Sequence, residues 1–314
     1  MNPQFWHGIA FSADTIIPIL AIIVMGWVMK RRGELSTELV AGMNHIVYRY
    51  ALPMLLFVSV VNSDTSPLAA WRLIGAGWLA IFALYAIGAR LGRHLPAADR
   101  GVFIQGVFRG NIGIIGLSLT AGVYGSSDTF AASAVLVGAL ALQMNILAVI
   151  CLTQDENPSP WPLVKKVLHN PLIIALLLAI LVKALYIPVP KIVTNFAGYY
   201  KNLTLPLALL ATGASFDLRG IFGAGQMALW ASAGRLLLSP LVFLAFGLVF
   251  GLRGEALGIL YLIGATPAAS ASYIMAKAMG GNATAAANII AITTALSLML
   301  IAPVIALFPL LGWA

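Results

Sequence analysis

Apolar runs of about twenty residues recur along the whole 314-residue chain, separated by short polar connections. That is the length a helix needs to cross the hydrocarbon core of a bilayer, about 30 Å at 1.5 Å per residue. Ten runs qualify: Asp14–Met29, Ala41–Val61, Leu68–Leu91, Gly101–Tyr124, Thr129–Leu152, Pro171–Tyr186, Val193–Gly213, Met227–Gly251, Ala256–Met279 and Ala283–Pro309. The longest connection, residues 153–170, is polar and rich in proline. It divides the chain into two five-helix units, residues 1–152 and 171–314. The short apolar–polar alternation of a membrane barrel is missing. The pattern predicts an all-α membrane protein of ten transmembrane helices.

The fourth run is interrupted where continuity matters most. Phe108-Arg109-Gly110-Asn111-Ile112-Gly113-Ile114-Ile115-Gly116 lies near its middle. An arginine at the centre of a membrane helix costs roughly 3 kcal/mol, and each glycine weakens a helix by roughly 1 kcal/mol relative to alanine. The ninth run carries Gly264-Ala265-Thr266-Pro267-Ala268-Ala269-Ser270-Ala271-Ser272 at the corresponding place. Pro267 has no amide hydrogen and clashes with the preceding turn, so it breaks the helix near mid-membrane. Irregular backbone at that depth is tolerated only where protein or a polar cavity surrounds it.

The two units also match each other. Leu52-Pro53-Met54 parallels Leu205-Pro206-Leu207, Asn111 aligns with Pro267, and Tyr124-Gly125-Ser126 aligns with Gly280-Gly281-Asn282, all at nearly constant spacing. Five is odd, so two consecutive five-helix units enter the membrane in opposite senses. That is an inverted repeat, and paired interrupted helices in such repeats mark the binding site of secondary transporters.

Composition sharpens the class. Hydrophobic residues make up 61% of the chain and charged residues 9%, and the mean hydropathy is +0.97. Too little polar material remains to cover a soluble domain. The formal net charge of +8 is scattered through short loops and reads as a topology signal, not as a nucleic-acid surface. With the N-terminus outside, the inner loops carry Lys30, Arg31, Arg32, Arg90, Arg93, Arg100, Lys165, Lys166 and Arg219, and the outer loops only Arg72, Lys191 and Arg253. Both termini are therefore expected on the non-cytoplasmic side of a plasma (inner) membrane. The first 13 residues hold no Lys or Arg, so no cleaved signal peptide is expected. Cys151 is the single cysteine and reads as a buried thiol. The chain contains no phosphate-binding GxxxxGK[ST] loop, HExxH or GxSxG, so neither ATP hydrolysis nor enzyme chemistry is expected, and no cofactor or metal.

Candidate chemistry gathers at the interruptions. Arg109, Arg235 and Lys277 lie within apolar helices, Arg49 and Lys201 nearer helix ends, while acidic residues such as Asp14, Asp64, Asp99, Asp155, Asp217 and Glu255 fall in loops or at segment ends. Cations without nearby acids suit an anionic ligand, or they snorkel to headgroups. Asn111 can donate to a carboxylate, and the half-helix beginning near Gly113 points its free amides and positive end at the break. Gly110, Thr266, Pro267, Ser270 and Ser272 line the interruptions. Gln143, Asn145 and Asn288 are candidates for ligand contact or interhelical hydrogen bonds. Pro53 and Pro206 are candidate kinks beside the site. His45 is the histidine placed to titrate near a cavity, though an interfacial position explains it equally well.

Taken together, Leu52-Pro53-Met54-Leu55-Leu56-Phe57, Leu205-Pro206-Leu207, Arg109-Gly110-Asn111-Ile112-Gly113 and Pro267 resemble the auxin efflux carrier family, in a compact bacterial malonate/malate-type form. The resemblance spans all ten helices. It implies a fold shared with the bile-acid sodium symporters: helices 1, 2, 6 and 7 as a scaffold, often dimeric, and helices 3–5 and 8–10 as a transport domain. The fourth and ninth helices then cross at their breaks, and substrate binds there. Gly110-Asn111-Ile112 stands where plant members have Asn-Pro-Asn, and the long central loop of the plant type is missing. The implied function is a secondary carrier of a small organic anion, a dicarboxylate such as malonate or malate or an auxin-like carboxylate. Its partners would be that carboxylate, membrane lipids and a second copy through the scaffold helices. A sodium-coupled symporter using the Ala265 and Thr266 carbonyls, a cation/proton antiporter and a non-transporting sensor are the alternatives.

Overall fold

Polar and small residues between the apolar runs act as helix starts and stops in a computed structural model of the chain. Residues 17–18, 21–61, 71–124, 128–152, 171–214 and 225–313 are described. The central connection 153–170 and the acids Asp14, Asp64, Asp155, Glu156 and Asp217 lie outside them. A first helix, α1 (21–31), leads to Ser36, whose Oγ accepts the Leu39 N–H at 3.1 Å. This cap starts α2 (Thr37–Ile46), four residues ahead of the expected Ala41, because a capped amide end stabilises a polar first turn. The helix widens into a π-turn, Val47–Ala51, and continues as α3 (Leu52–Val61).

Next come α4 (Trp71–Leu91), α5 (Ala97–Phe108), a π-turn Ile112–Gly116 with α6 (Leu117–Tyr124), and α7 (Asp128–Leu152). The second half holds α8 (Pro171–Ala184), α9 (Lys191–Ala214), and α10 (Gln226–Ala233) running through a π-turn, Gly234–Leu238, into α11 (Ser239–Val249). It closes with α12 (Glu255–Gly264), α13 (Ala271–Ala278) and α14 (Ala283–Leu311). Asn282 caps α14 through the Ala285 N–H at 3.0 Å, and Gly312, at φ 67°, ends it in the left-handed conformation.

Every expected run carries helix over most of its described residues. Trp71–His94, Ala132–Leu152, Gln226–Val249 and Ala283–Leu311 are each long and apolar enough to span a bilayer unaided. The fourth and ninth runs are split, as the interruptions require, into α5 and α6 and into α12 and α13.

Packing sorts the helices into two groups. In one, α3 lies against α8 and α9, and α9 also packs on α2. Within it, helix 21–31 approaches α9 so closely that a Cβ on Gly26 would strike the Leu210 backbone and one on Gly213 the Ile23 backbone. In the other, α4 packs on α5, α7 and α11, α10 packs on α5 and α14, and α13 packs on α14. The groups meet where α3 touches α7 and where α9 touches α6. Outward-facing side chains such as Leu177, Leu181, Phe196, Leu241, Leu248 and Met299 are apolar and exposed, as a lipid-facing surface requires.

Candidate functional site

The two interruptions meet each other. After Phe108 the chain turns extended at Arg109 (φ −91°, ψ 95°), passes Gly110 and leaves Asn111 at φ −79°, ψ 58°. After Gly264 the ninth run stops at Ala265; the Thr266 N–H keeps only a long turn bond to the Ile263 carbonyl, at 3.4 Å, and Pro267 has no N–H to give. Gly110 and Ala268 then form an antiparallel bridge. The Asn111 N–H donates to the Pro267 carbonyl at 2.7 Å, and the Ala269 N–H to the Arg109 carbonyl at 3.0 Å. An extended backbone in a membrane interior must find partners for these groups, and each break supplies them to the other. The local two-fold of the bridge exchanges Gly110 with Ala268 and Asn111 with Ala269. Sequence matching had put Asn111 opposite Pro267. The two do touch, as donor and acceptor.

Arg235 holds the crossing from one side. It sits in the Gly234–Leu238 π-turn and is 0% exposed. Its Nε donates to the Thr266 carbonyl at 2.8 Å and Nη1 to the Phe108 carbonyl at 2.9 Å. Nη2 donates to the Gly264 carbonyl at 2.7 Å and, at 3.3 Å each, to the Ile263 carbonyl and Thr266 Oγ1. Phe108 ends α5, and Gly264 ends α12, so a single guanidinium satisfies the carbonyl ends of both first half-helices. Those ends carry the negative pole of each helix dipole, which offsets much of the cost of burying the cation. Ser239, one turn further along, donates its Oγ–H to the Gly264 carbonyl at 2.8 Å.

Gly110 is required by this arrangement. A Cβ there would stand 2.7 Å from Nη2 and 2.9 Å from Cζ of Arg235, and would also strike Thr266 Oγ1. From the far side, Thr293 of α14 accepts the Ala268 N–H at 3.0 Å while donating to the Ile289 carbonyl at 2.7 Å.

Arg109 points away from Arg235. Its Nη2 donates to Asn145 Oδ1 at 2.7 Å, and Nη1 donates to Gln105 Oε1 at 3.1 Å and meets Met275 Sδ at 2.6 Å. Arg109 is 5% exposed, so it does not snorkel. Asn145, left open between ligand and interhelical contact, is thus joined to the break through Arg109.

The second half-helices begin at the crossing. The Asn111 carbonyl accepts the Ile115 and Gly116 N–H groups at 3.0 and 3.1 Å, starting the π-turn that contains Gly113, but the Asn111 side chain caps nothing. Ser270 occupies the equivalent N-cap of α13, is exposed, and its side chain also makes no capping bond.

The remaining expected residues fall elsewhere. Pro53 is half-buried just after the Val47–Ala51 π-turn, which packs against the Ile112–Gly116 π-turn, so that its helix reaches the break. Pro206 is exposed within an unbroken α9, which packs on α6. The His45 ring is exposed and lies edge-on to Tyr50, with centroids 6.4 Å apart. Lys277 and Arg49 are exposed. Gln143 donates to the Trp78 carbonyl at 2.9 Å, an interhelical bond. Sequence reasoning missed Gln105, Ser239 and Thr293, which are polar residues in apolar helices. The only signal available was their polarity.

The apolar exterior, the paired mid-membrane breaks and the buried cations define a multi-pass helical membrane transport protein. The membrane transport protein family (Mem_trans) matches residues 11–158 and 161–305. The chain belongs to that family, which is one of transporters and not of enzymes. Among its relatives, an uncharacterized transporter of Methanothermobacter thermautotrophicus is 24% identical over 291 residues, 92% of this chain and 95% of that protein. The uncharacterized transporter MJ1031 of Methanocaldococcus jannaschii is 23% identical over 298 residues, 92% of this chain and 96% of its own. The uncharacterized transporter YfdV of Escherichia coli K12 is 22% identical over 289 residues, covering 86% and 88% respectively.

Proposed function

We propose that this chain is a secondary carrier that moves a small organic anion, of the dicarboxylate class that includes malonate and malate, by alternating access at the crossing. One observation carries the reading. Arg235 ties up the carbonyl ends of α5 and α12, while the amide ends of the other two half-helices begin at the crossing with Asn111 and Ser270 side chains that cap neither. The exposed polarity of the crossing is thus positive, and an anion is what amide ends and an asparagine N–H bind best. The Thr266 carbonyl, a candidate sodium ligand, accepts Arg235 Nε instead, which weighs against the sodium-coupled reading.

The two packing groups fit a scaffold of helices 1, 2, 6 and 7 and a moving unit of helices 3–5 and 8–10, arranged as two inverted repeats. The contacts of α3 with α7 and of α9 with α6 would be the sliding surface. In this reading both termini face away from the cytoplasm in a plasma membrane, and the scaffold offers its apolar face to a second copy. Flux of radiolabelled malonate into proteoliposomes tests the function. Saturable transport is expected, reduced at least tenfold in Asn111→Ala; transport unchanged in that variant would remove Asn111 from the site, and no flux of any carboxylate would end the proposal.

A further inference from the structure

The bridge makes the two broken helices equivalent, yet their second halves meet different surroundings. Carried on from Gly110 and Ala268, the same two-fold pairs Ile112 with Ser270 and Ile115 with Tyr273. It pairs Lys277 with Leu119 or, allowing for the extra residue of the π-turn, with Thr120. Ile112, Ile115, Leu119 and Thr120 are buried, none more than 4% exposed. Ser270 and Lys277 are exposed, and Tyr273 is 37% exposed. Packing accounts for the difference. The Ile112–Gly116 π-turn and α6 lie against α9, which belongs to the other packing group. By contrast, α13 packs on α14, α5 and α7, all of its own group.

The chemistry of the two faces differs in the same sense. The covered face carries isoleucine and leucine, and the open one serine, tyrosine and lysine. Spacings of three and four residues put Ser270, Tyr273 and Lys277 on one side of α13, in a stripe about 10 Å long. It starts at the crossing, where the Ser270 side chain caps nothing, and ends with Lys277 in the last turn. Hydroxyls at mid-membrane depth are poorly placed against lipid and well placed against water. Just beyond α13, Asn282 donates its N–H to the Ala98 carbonyl at 2.9 Å and its side-chain amide to Asp99 Oδ1 at 2.8 Å. The stripe therefore runs out where α5 begins, on the side of the exposed Arg90, Arg93 and Arg100. Since α13 itself holds no acid, an anion arriving there meets Lys277 first, then the two hydroxyls, then the amide end at the crossing.

We infer that the transported anion reaches the crossing along this stripe, with Lys277 at its mouth as the cation that captures it, while α9 closes the two-fold-related route along α6. This rests on the anion-carrier reading and deepens it, naming the route and the residue that selects for charge at its entrance.

Cysteine accessibility of the full-length protein in membrane vesicles tests the route. Cys151 is the single cysteine, so Cys151→Ala supplies the background. A membrane-impermeant maleimide reacts with a thiol only where water reaches it. Ser270→Cys, Tyr273→Cys and Lys277→Cys are expected to label at least about tenfold faster than Ile112→Cys and Ile115→Cys, and from the membrane side that labels Arg93→Cys. Malonate should slow labelling at position 270. In flux, Lys277→Gln should raise the malonate KM by roughly threefold or more at low ionic strength with kcat kept, an effect that fades in high salt and is absent in Lys277→Arg. The comparison with Arg93→Cys carries the test if a buried reference does not fold. Labelling at 270 and 273 as slow as at 112 and 115 would put the stripe against lipid, with Lys277 snorkelling, and overturn the route; labelling from the side opposite Arg93→Cys would overturn it too. An unchanged KM in Lys277→Gln would overturn the capture role. Fast labelling from the expected side, with no malonate protection and no flux of any carboxylate, would overturn the carrier reading instead and leave only an open polar cleft.

Discussion

Arg235 projects from the middle of one helix to the ends of two others. Its planar fork reaches carbonyls on α5 and α12 at once, which a lysine ammonium on a single stem cannot do. Arg235→Lys is expected to strand at least two buried carbonyls, each costing about 1–3 kcal/mol. A melting midpoint several degrees lower in detergent checks this, and an unchanged midpoint would mean that the fork is dispensable. Gly110→Ala attacks the same contact from the other side, because its methyl would stand 2.7 Å from Nη2. Overpacking of this kind costs about 1–3 kcal/mol, and both melting and malonate flux should fall. The places where residues were legible in the sequence share one property: they break a rule locally. Arg109, Asn111 and Pro267 are wrong for a membrane helix wherever the rest of the chain goes. Arg235 broke the same rule, but its partners Phe108 and Gly264 are remote in sequence, and positive potential for a ligand or snorkelling to headgroups were the roles that could be read for it. Gln105, Ser239 and Thr293 break no rule strongly enough to be noticed.

At the scale of elements, the interruptions were legible and their completion was not. Glycines and a proline at equivalent depths announce two broken helices. That the breaks pair as a two-bond bridge depends on their meeting in space. The bridge leaves the Ala268 N–H over, and Thr293 of α14 takes it at 3.0 Å. Thr293→Val keeps the side-chain shape and removes that acceptor. A loss of about 1–3 kcal/mol is expected, seen as a lower melting midpoint together with faster hydrogen exchange at the Ala268 amide; exchange at the parent rate would show that another group serves it. The three π-turns, Val47–Ala51, Ile112–Gly116 and Gly234–Leu238, were not legible. Each inserts one residue into a helix and turns the following face by about 100°, and no residue type in these segments marks that shift. Two of them pack on each other beside the crossing, and the third aims Arg235.

Over the whole molecule, the apolar runs marked every helix among the described residues to within a few residues, because lipid imposes a length and a polarity that few sequences satisfy by accident. The division into two packing groups left no such trace, since contacts within and between the groups use the same apolar residues. One consequence of the crossing concerns membrane voltage. Arg109 and Arg235 both belong to the segments fastened at the bridge, while acids such as Glu38, Asp99 and Glu255 sit in first turns at helix ends. A unit that carries both cations through the field as one body moves two positive charges when unloaded, and none when it holds a dianion such as malonate. Each charge that crosses is worth about 2.3 kcal/mol per 100 mV. For the proposed malonate carrier, malonate-for-malonate exchange is therefore expected to ignore a potential imposed across proteoliposomes, while net one-way flux, which needs the unloaded return, should accelerate or stall with its sign. Exchange and net flux with the same voltage dependence would show that the two arginines stay still while the substrate passes.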